Sequence, residues 1–212
     1  MKIEILDLGI NNLNSVIRVF QNSVGSNDQI DITISKSSSQ EDAQLLVLPG
    51  LGSFSAGMAA IRSRGFEELI LDHIARGGKI AAICLGMQLL GNSSEESENV
   101  SGLNIIPGET HKLKEQKGER VPNVGWLETK RNKNISNFES LTLNQDFYFV
   151  HSYEFLPKNP NEILCTSLYG RHEFVSGLIS DNVCAFQFHP EKSAKVGRAL
   201  IKEIVDWSNG EI

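Results

Sequence analysis

Ala82-Ile83-Cys84-Leu85-Gly86 places a thiol where an apolar strand runs into a turn and then a helix. A nucleophile elbow of this kind lifts the sulfur above a sheet and aims the positive end of the following helix at it. It also leaves backbone amides free to hold an oxyanion. The strained turn presses on its neighbours, so small residues are needed beside it, and Ala82 and Gly86 meet that need. A small buried apolar group is the other common use of a lone cysteine, and position alone leaves both readings open. A thiolate nucleophile also requires a base. Of five histidines, His189 in Gln187-Phe188-His189-Pro190-Glu191 is the best placed. It follows an apolar strand and should emerge at a strand end, where doubly wound sheets put their sites. Glu191 could turn back across the proline to hold the imidazole in one tautomer. A capping histidine followed by a helix-start glutamate is about as common an outcome. His73 lies in an amphipathic segment, and His111 and His172 lie among polar residues; His151 is less easily dismissed. Pro49-Gly50-Leu51-Gly52 could bring backbone amides close to a developing negative charge. Alone this is a weak signal, more often an ordinary strand-to-helix turn, and it lacks a Walker lysine.

The elements that must carry these residues follow from periodicity. Lys2 to Leu8, Ile30 to Ile34, Leu45 to Leu48 and Lys79 to Ile83 read as strands. Asn12 to Asn22 reads as a helix with Leu13, Val16, Ile17 and Phe20 on one face, and Phe54 to Arg76 as one long helical stretch. Such β-α alternation predicts a parallel sheet covered on both faces. The second half is richer in strands: Asp146 to Val150, Ile163 to Leu168, Phe174 to Ile179 and Asn182 to Phe188. Ser193 to Asn209 closes the chain as an amphipathic helix. The expected architecture is an α/β three-layer sandwich around a mostly parallel central sheet, one domain over residues 1–212.

Composition narrows the function classes. A chain of 212 residues, 40% hydrophobic and 22% charged, can bury a sizeable core. Its net charge of -6 argues against a nucleic-acid partner, since phosphate binding needs a basic surface. The basic run Lys112, Lys114, Lys117, Arg120 is broken by Glu115 and Glu119 and reads as a solvated loop. Glu4 and Asp7 interrupt the first apolar run, and no stretch reaches membrane-spanning length, which points to the cytosol and away from a membrane. Three cysteines at unequal spacing form neither a disulfide framework nor a zinc pattern. No metal and no cofactor is expected.

Taken together, the Pro-Gly-Leu-Gly loop, Ile83-Cys84-Leu85-Gly86-Met87-Gln88 and Phe188-His189-Pro190-Glu191-Lys192-Ser193 resemble the class I glutamine amidotransferases. Within that class the chain is most similar to the glutaminase subunits of imidazole glycerol phosphate synthases. That similarity extends over Asp7-Leu8-Gly9, Ser94-Glu95-Glu96, Val121-Pro122 with Gly125-Trp126, and Tyr148-Phe149-Val150-His151-Ser152-Tyr153. The resemblance implies that Cys84 attacks the side-chain amide of L-glutamine, that His189 moves the proton and that Glu191 orients the imidazole. It further implies an oxyanion hole from Gly50, Leu51, Gly52 and Leu85, and substrate contacts from Gln88, Glu96, Ser152 and Tyr153. It implies a heterodimer with a (β/α)8-barrel cyclase of histidine biosynthesis, which receives ammonia across Gly9, Asn12, Ser15, Asn123, Trp126 and Tyr148. Asn123 and Leu127 depart from the usual Pro-His-x-Gly-Trp-Asn, while Ala82 is a conservative replacement of a common glycine. The two departures leave room for a paralogue that feeds an amidotransferase of nucleotide-linked or surface-polysaccharide sugars. A non-catalytic reactive-cysteine sensor would need no ordered general base, so His189 with Glu191 argues against it.

Overall fold

The structure is a computed structural model that describes residues 1–10, 13–23, 30–37, 42–115, 120–132, 138–141 and 145–211. In chain order the elements are β1 (Lys2–Leu6), α1 (Leu13–Ser23), β2 (Asp31–Ser35), β3 (Leu45–Gly50), α2 (Phe54–Ser63), α3 (Phe66–Ala75), β4 (Lys79–Cys84) and α4 (Leu85–Leu89). They are followed by β5 (Ser93–Ser94), β6 (Gly108–Lys112), β7 (Asn123–Arg131), β8 (Gln145–His151), β9 (Tyr153–Pro157), β10 (Ile163–Tyr169), β11 (His172–Ser180), β12 (Val183–Phe186) and α5 (Ala194–Ser208).

A nine-stranded sheet with the order β2-β1-β3-β4-β12-β11-β10-β7-β8 forms the middle layer. From β2 to β12 neighbouring strands are parallel, as the β-α alternation requires. From β12 outward through β11, β10, β7 and β8 the pairing is antiparallel, so the sheet is mixed. The two halves meet at β4 and β12, the strands that lead into Cys84 and toward His189. Both strands are buried along their whole length except at Lys79, because apolar layers cover each face.

One layer is built by α1 and α5, whose Val16, Phe20, Leu200, Ile204 and Trp207 join the aromatic cluster of Phe147, Phe149, Phe186 and Phe188. The opposite layer is built by α2 and α3, which pack Phe54, Met58, Ile61, Phe66 and Ile70 against Leu46, Leu48, Ile80 and Ala82. The single helix expected over Phe54 to Arg76 is two helices. Gly65 adopts φ 73° between them, a left-handed turn that no continuous helix accommodates. Ser53 caps α2, its side chain accepting from the Ala56 amide.

Two further differences matter for the site. The strand expected to stop at Leu48 runs on as β3 through Pro49 and Gly50, because Gly50 pairs with Cys84. The second, three-stranded sheet of β5, β6 and β9 was not foreseen; its members are short, and β5 has only two residues. Lys112, read as part of a solvated loop, ends β6, whereas Lys117 and Glu119 lie outside the described residues, as does the expected interface residue Asn12. Among the described residues no helix is long and apolar enough to cross a membrane, and no group of side chains could hold a metal ion.

Candidate active site

Cys84 is the last residue of β4 and has φ 55° and ψ -111°, a positive-φ conformation that side-chain-bearing residues avoid. Strain of this kind costs about 1–3 kcal/mol and persists only where the surroundings over-determine it. Here β3 and β12 clamp β4 on both edges, and α4 begins at once with Leu85. The clamp leaves no room for side chains at two glycines. A Cβ on Gly86 would lie 1.9 Å from the Leu48 carbonyl oxygen, and one on Gly50 would lie 2.8 Å from the Leu85 Cβ. The turn is thus pressed directly against the strand that carries the Pro-Gly-Leu-Gly loop.

His189 follows β12, and its amide donates to the Tyr148 carbonyl at 2.8 Å. Pro190 starts a single 3-10 turn that brings Glu191 back, so that Nδ1 of His189 lies 2.7 Å from Oε1. Both side chains are almost wholly buried, at 2% and 3% exposure. The hydroxyl of Ser193 donates to the His189 carbonyl at 2.7 Å and accepts from the Tyr148 amide at 3.0 Å, fixing the turn to β8. With the carboxylate on Nδ1, the Nδ1–H form is favoured and Nε2 is left as the working nitrogen. Nε2 makes no regular hydrogen bond. Burial by itself lowers the imidazole pKa, but the nearby Cys84 sulfur and then Glu191 outweigh it and raise it to about 10.

A cavity of about 290 Å³ opens beside the sulfur. Leu51, Gly52, Leu85, Gln88, Glu96, Ser152 and Tyr153 line it, and Gly50 packs against Leu85. One oxygen of Glu96 accepts from the Phe54 amide at 2.7 Å at the start of α2. Burial and the negative charges of Glu96 and Glu95 raise the Tyr153 phenol pKa, which keeps it neutral.

The cavity also contains His151, which the sequence left undecided. Its Nδ1 donates to the Tyr153 carbonyl at 2.9 Å, and its Nε2 accepts from the side-chain amide of Asn123 at 2.9 Å. Burial pushes its pKa down to about 4, the Tyr153 hydrogen bond partly opposing and His189 adding to the shift. It is therefore a neutral imidazole. This corrects the placement of Asn123, expected on a partner-facing surface: it is 1% exposed and turned inward, because alternation along β7 sends residues 123 and 129 to the core. Leu127 is also partly buried against the core.

The other partner-side expectations separate into two places. Trp126 is 50% exposed and meets Tyr148 edge to face, with ring centroids 5.8 Å apart. Ser15 lines a shallow depression with Glu191, beside Arg18 and Arg198. Gly9 takes φ 73°, with its amide on the Asp7 carboxylate at 2.7 Å. Tyr148 and Ser15 thus lie beside the His189-Glu191 turn, and Trp126 packs on Tyr148.

One polar residue of the site was overlooked. Gln187 is fully buried and its side chain reaches the Cys84 sulfur. A glutamine in an otherwise apolar run, two residues before His189, was the available signal.

Comparison with known proteins bears on the whole chain. The model of the Glutamine amidotransferase class-I family matches residues 4–206. A Pyrococcus furiosus protein named imidazole glycerol phosphate synthase subunit HisH is 39% identical over 201 residues, covering 95% of this chain and 96% of the relative. A protein of the same name from Syntrophotalea carbinolica is 38% identical over 96% of this chain and 99% of its own length. In Pseudomonas aeruginosa, a relative named imidazole glycerol phosphate synthase subunit HisH 2 is 34% identical over 96% of this chain and 98% of its own length. Among solved structures, a glutamine amidotransferase from Thermotoga maritima superposes with a TM-score of 0.69 at 14% identity, over 98% of this chain and 97% of that one. PurLQS from the same organism gives 0.70 at 16% identity, over 97% and 98%.

Proposed function

The chain belongs to the class I glutamine amidotransferases, and on that premise we propose that it is the glutaminase subunit of an imidazole glycerol phosphate synthase. It hydrolyses L-glutamine to L-glutamate and passes the ammonia to a cyclase subunit in histidine biosynthesis. The observation that carries the reading is the conjunction of a thiol at a strained elbow, a buried His-Glu pair and a cavity that Cys84 and Glu96 both line.

In this reading Cys84 attacks the carboxamide carbon, and the negative oxygen that forms is held by backbone amides of Leu85 and of the Gly50 to Gly52 loop. His189 takes the Cys84 thiol proton at Nε2 and delivers it to the departing ammonia, and Glu191 keeps the imidazole in the required tautomer. Water, deprotonated by His189, then cleaves the thioester and releases glutamate. The ammonium end of the substrate pairs with Glu96, while Gln88, Ser152 and Tyr153 line its path. Ammonia remains a nucleophile only if it stays unprotonated, so it must leave into a closed interface. The exposed Trp126-Tyr148 face and the Ser15 depression, both beside the His189-Glu191 turn, suit such docking by a (β/α)8-barrel partner. That partner completes the heterodimer and supplies the lyase chemistry.

A second reading, in which the ammonia feeds an amidotransferase of nucleotide-linked or surface-polysaccharide sugars, draws on Asn123 and Leu127. Both residues depart from the histidine-pathway pattern, and Asn123 hydrogen-bonds the site histidine His151. Ammonia release from glutamine, measured on the purified chain alone and with a cyclase loaded with its nucleotide, separates the two. Stimulated release that Cys84→Ala abolishes is the expected result. Release that only a sugar-modifying amidotransferase stimulates would assign the second reading, and no release under either condition would refute both.

A further inference from the structure

Gln187 stands at 0% exposure among apolar residues, and the site as described gives it no task. Its surroundings fix which way its amide points. The carbonyl oxygen of Tyr153 can only accept a hydrogen bond, and Gln88 lies 3.2 Å from it, so the contact must be made by the NH2 group of Gln88. That same NH2 group lies 2.9 Å from the side chain of Gln187, which must therefore offer its oxygen. The NH2 group of Gln187 is then turned to the Cys84 sulfur, at 3.7 Å. A backbone carbonyl thus sets the orientation of two glutamine amides in series, and the end of the series is a donor aimed at the nucleophile.

We propose that Gln187 is a catalytic residue: its side-chain N–H donates to the Cys84 thiolate, and Gln88 and the Tyr153 carbonyl hold it in that orientation. A hydrogen bond to an ionised acceptor is stronger than one to a neutral group, so the contact favours the thiolate over the thiol. It weakens as the sulfur becomes the neutral sulfur of a thioester, returning part of the stabilisation when water regenerates the thiolate. Gln88 contacts the cavity as well, so the series connects the place where substrate is held to the reacting atom. The inference rests on Cys84 being the nucleophile, but its test requires neither glutamine nor a partner.

The experiment is the pH dependence of Cys84 alkylation by iodoacetamide, read by mass spectrometry of the Cys84 peptide, in the native protein and in Gln187→Met. Methionine keeps the length and bulk of the side chain and removes the donor. The other two cysteines interfere little, because burial pushes the Cys165 thiol up to about 12 and Cys184 higher still. The titrating and charged groups facing the sulfur or its cavity, namely His189, Glu191, His151, Glu96 and Tyr153, are the same in both proteins. Loss of the donor is expected to raise the alkylation midpoint by about one pH unit, a tenfold slower reaction below it, from the usual worth of a hydrogen bond to a charge. An unchanged or lowered midpoint overturns the proposal. Should Gln187→Met fail to fold, an NMR titration of the native protein decides: the Gln187 side-chain amide signal must move with the Cys84 midpoint, and a signal that does not move overturns it equally. Absence of ammonia release by the native protein would count against the glutaminase reading and leave this result unaffected.

Discussion

Replacing Gly86 by alanine tests how the elbow is held. The added Cβ would stand 1.9 Å from the Leu48 carbonyl oxygen, whereas real Cβ contacts essentially never fall below 3.0 Å. The contact must therefore open by more than 1 Å, and neither side yields easily. Leu48 sits in β3, paired to β4 and buried, and Gly86 follows Cys84 by two residues at the start of α4. Overpacking of a rigid core costs about 1–3 kcal/mol, which for a chain of this size lowers the melting temperature by roughly 2–12 °C. The larger effect should be on rate. A shift of this size moves the Leu85 amide relative to the sulfur, and misplacement by 1 Å can cost about a hundredfold in kcat. Differential scanning fluorimetry gives the first quantity, and ammonia release at saturating glutamine, with the partner present, gives the second. A Gly86→Ala protein that melted and reacted like the native one would refute the reasoning, because the close approach of elbow and β3 would then be irrelevant to the geometry.

Three further outcomes follow from the same structure. Glu191→Gln removes the charge beside Nδ1 and permits the wrong imidazole tautomer, so kcat should fall by about 10³ to 10⁴; steady-state kinetics showing only a small loss would mean that Glu191 does not orient His189. His151 is neutral in the fold with a pKa of about 4, against 6.5 unfolded. Its depressed value means that stability is complete above about pH 6.5 and declines as pH falls toward 4, by up to about 3 kcal/mol. Urea unfolding of the native protein and His151→Gln across that range checks this, and identical pH slopes would contradict it. Trp126→Ala should weaken binding of the cyclase by about thirtyfold or more, the cost of losing a central aromatic anchor; an unchanged Kd by calorimetry would move the docking face elsewhere.

The chemistry was readable in the sequence because it is written in contiguous segments. Cys84 between a strand and a helix, and His189 and Glu191 separated by a proline, obtain their geometry from bonds only a few residues away. The parallel half of the sheet was readable for a similar reason, since β-α alternation and apolar runs are properties of neighbouring residues. What only the tertiary structure decided depends on contacts between distant segments. Gln187 is merely a polar residue just past β12 until Gln88, 99 residues away, turns its amide toward Cys84. Asn123 looked like a surface residue until β7 paired with β8 and placed it on His151. The break at Gly65 and the extension of β3 to Gly50 likewise depend on what lies alongside. Local periodicity specifies which face a side chain takes, but the identity of its partner depends on strand order, which no single segment encodes.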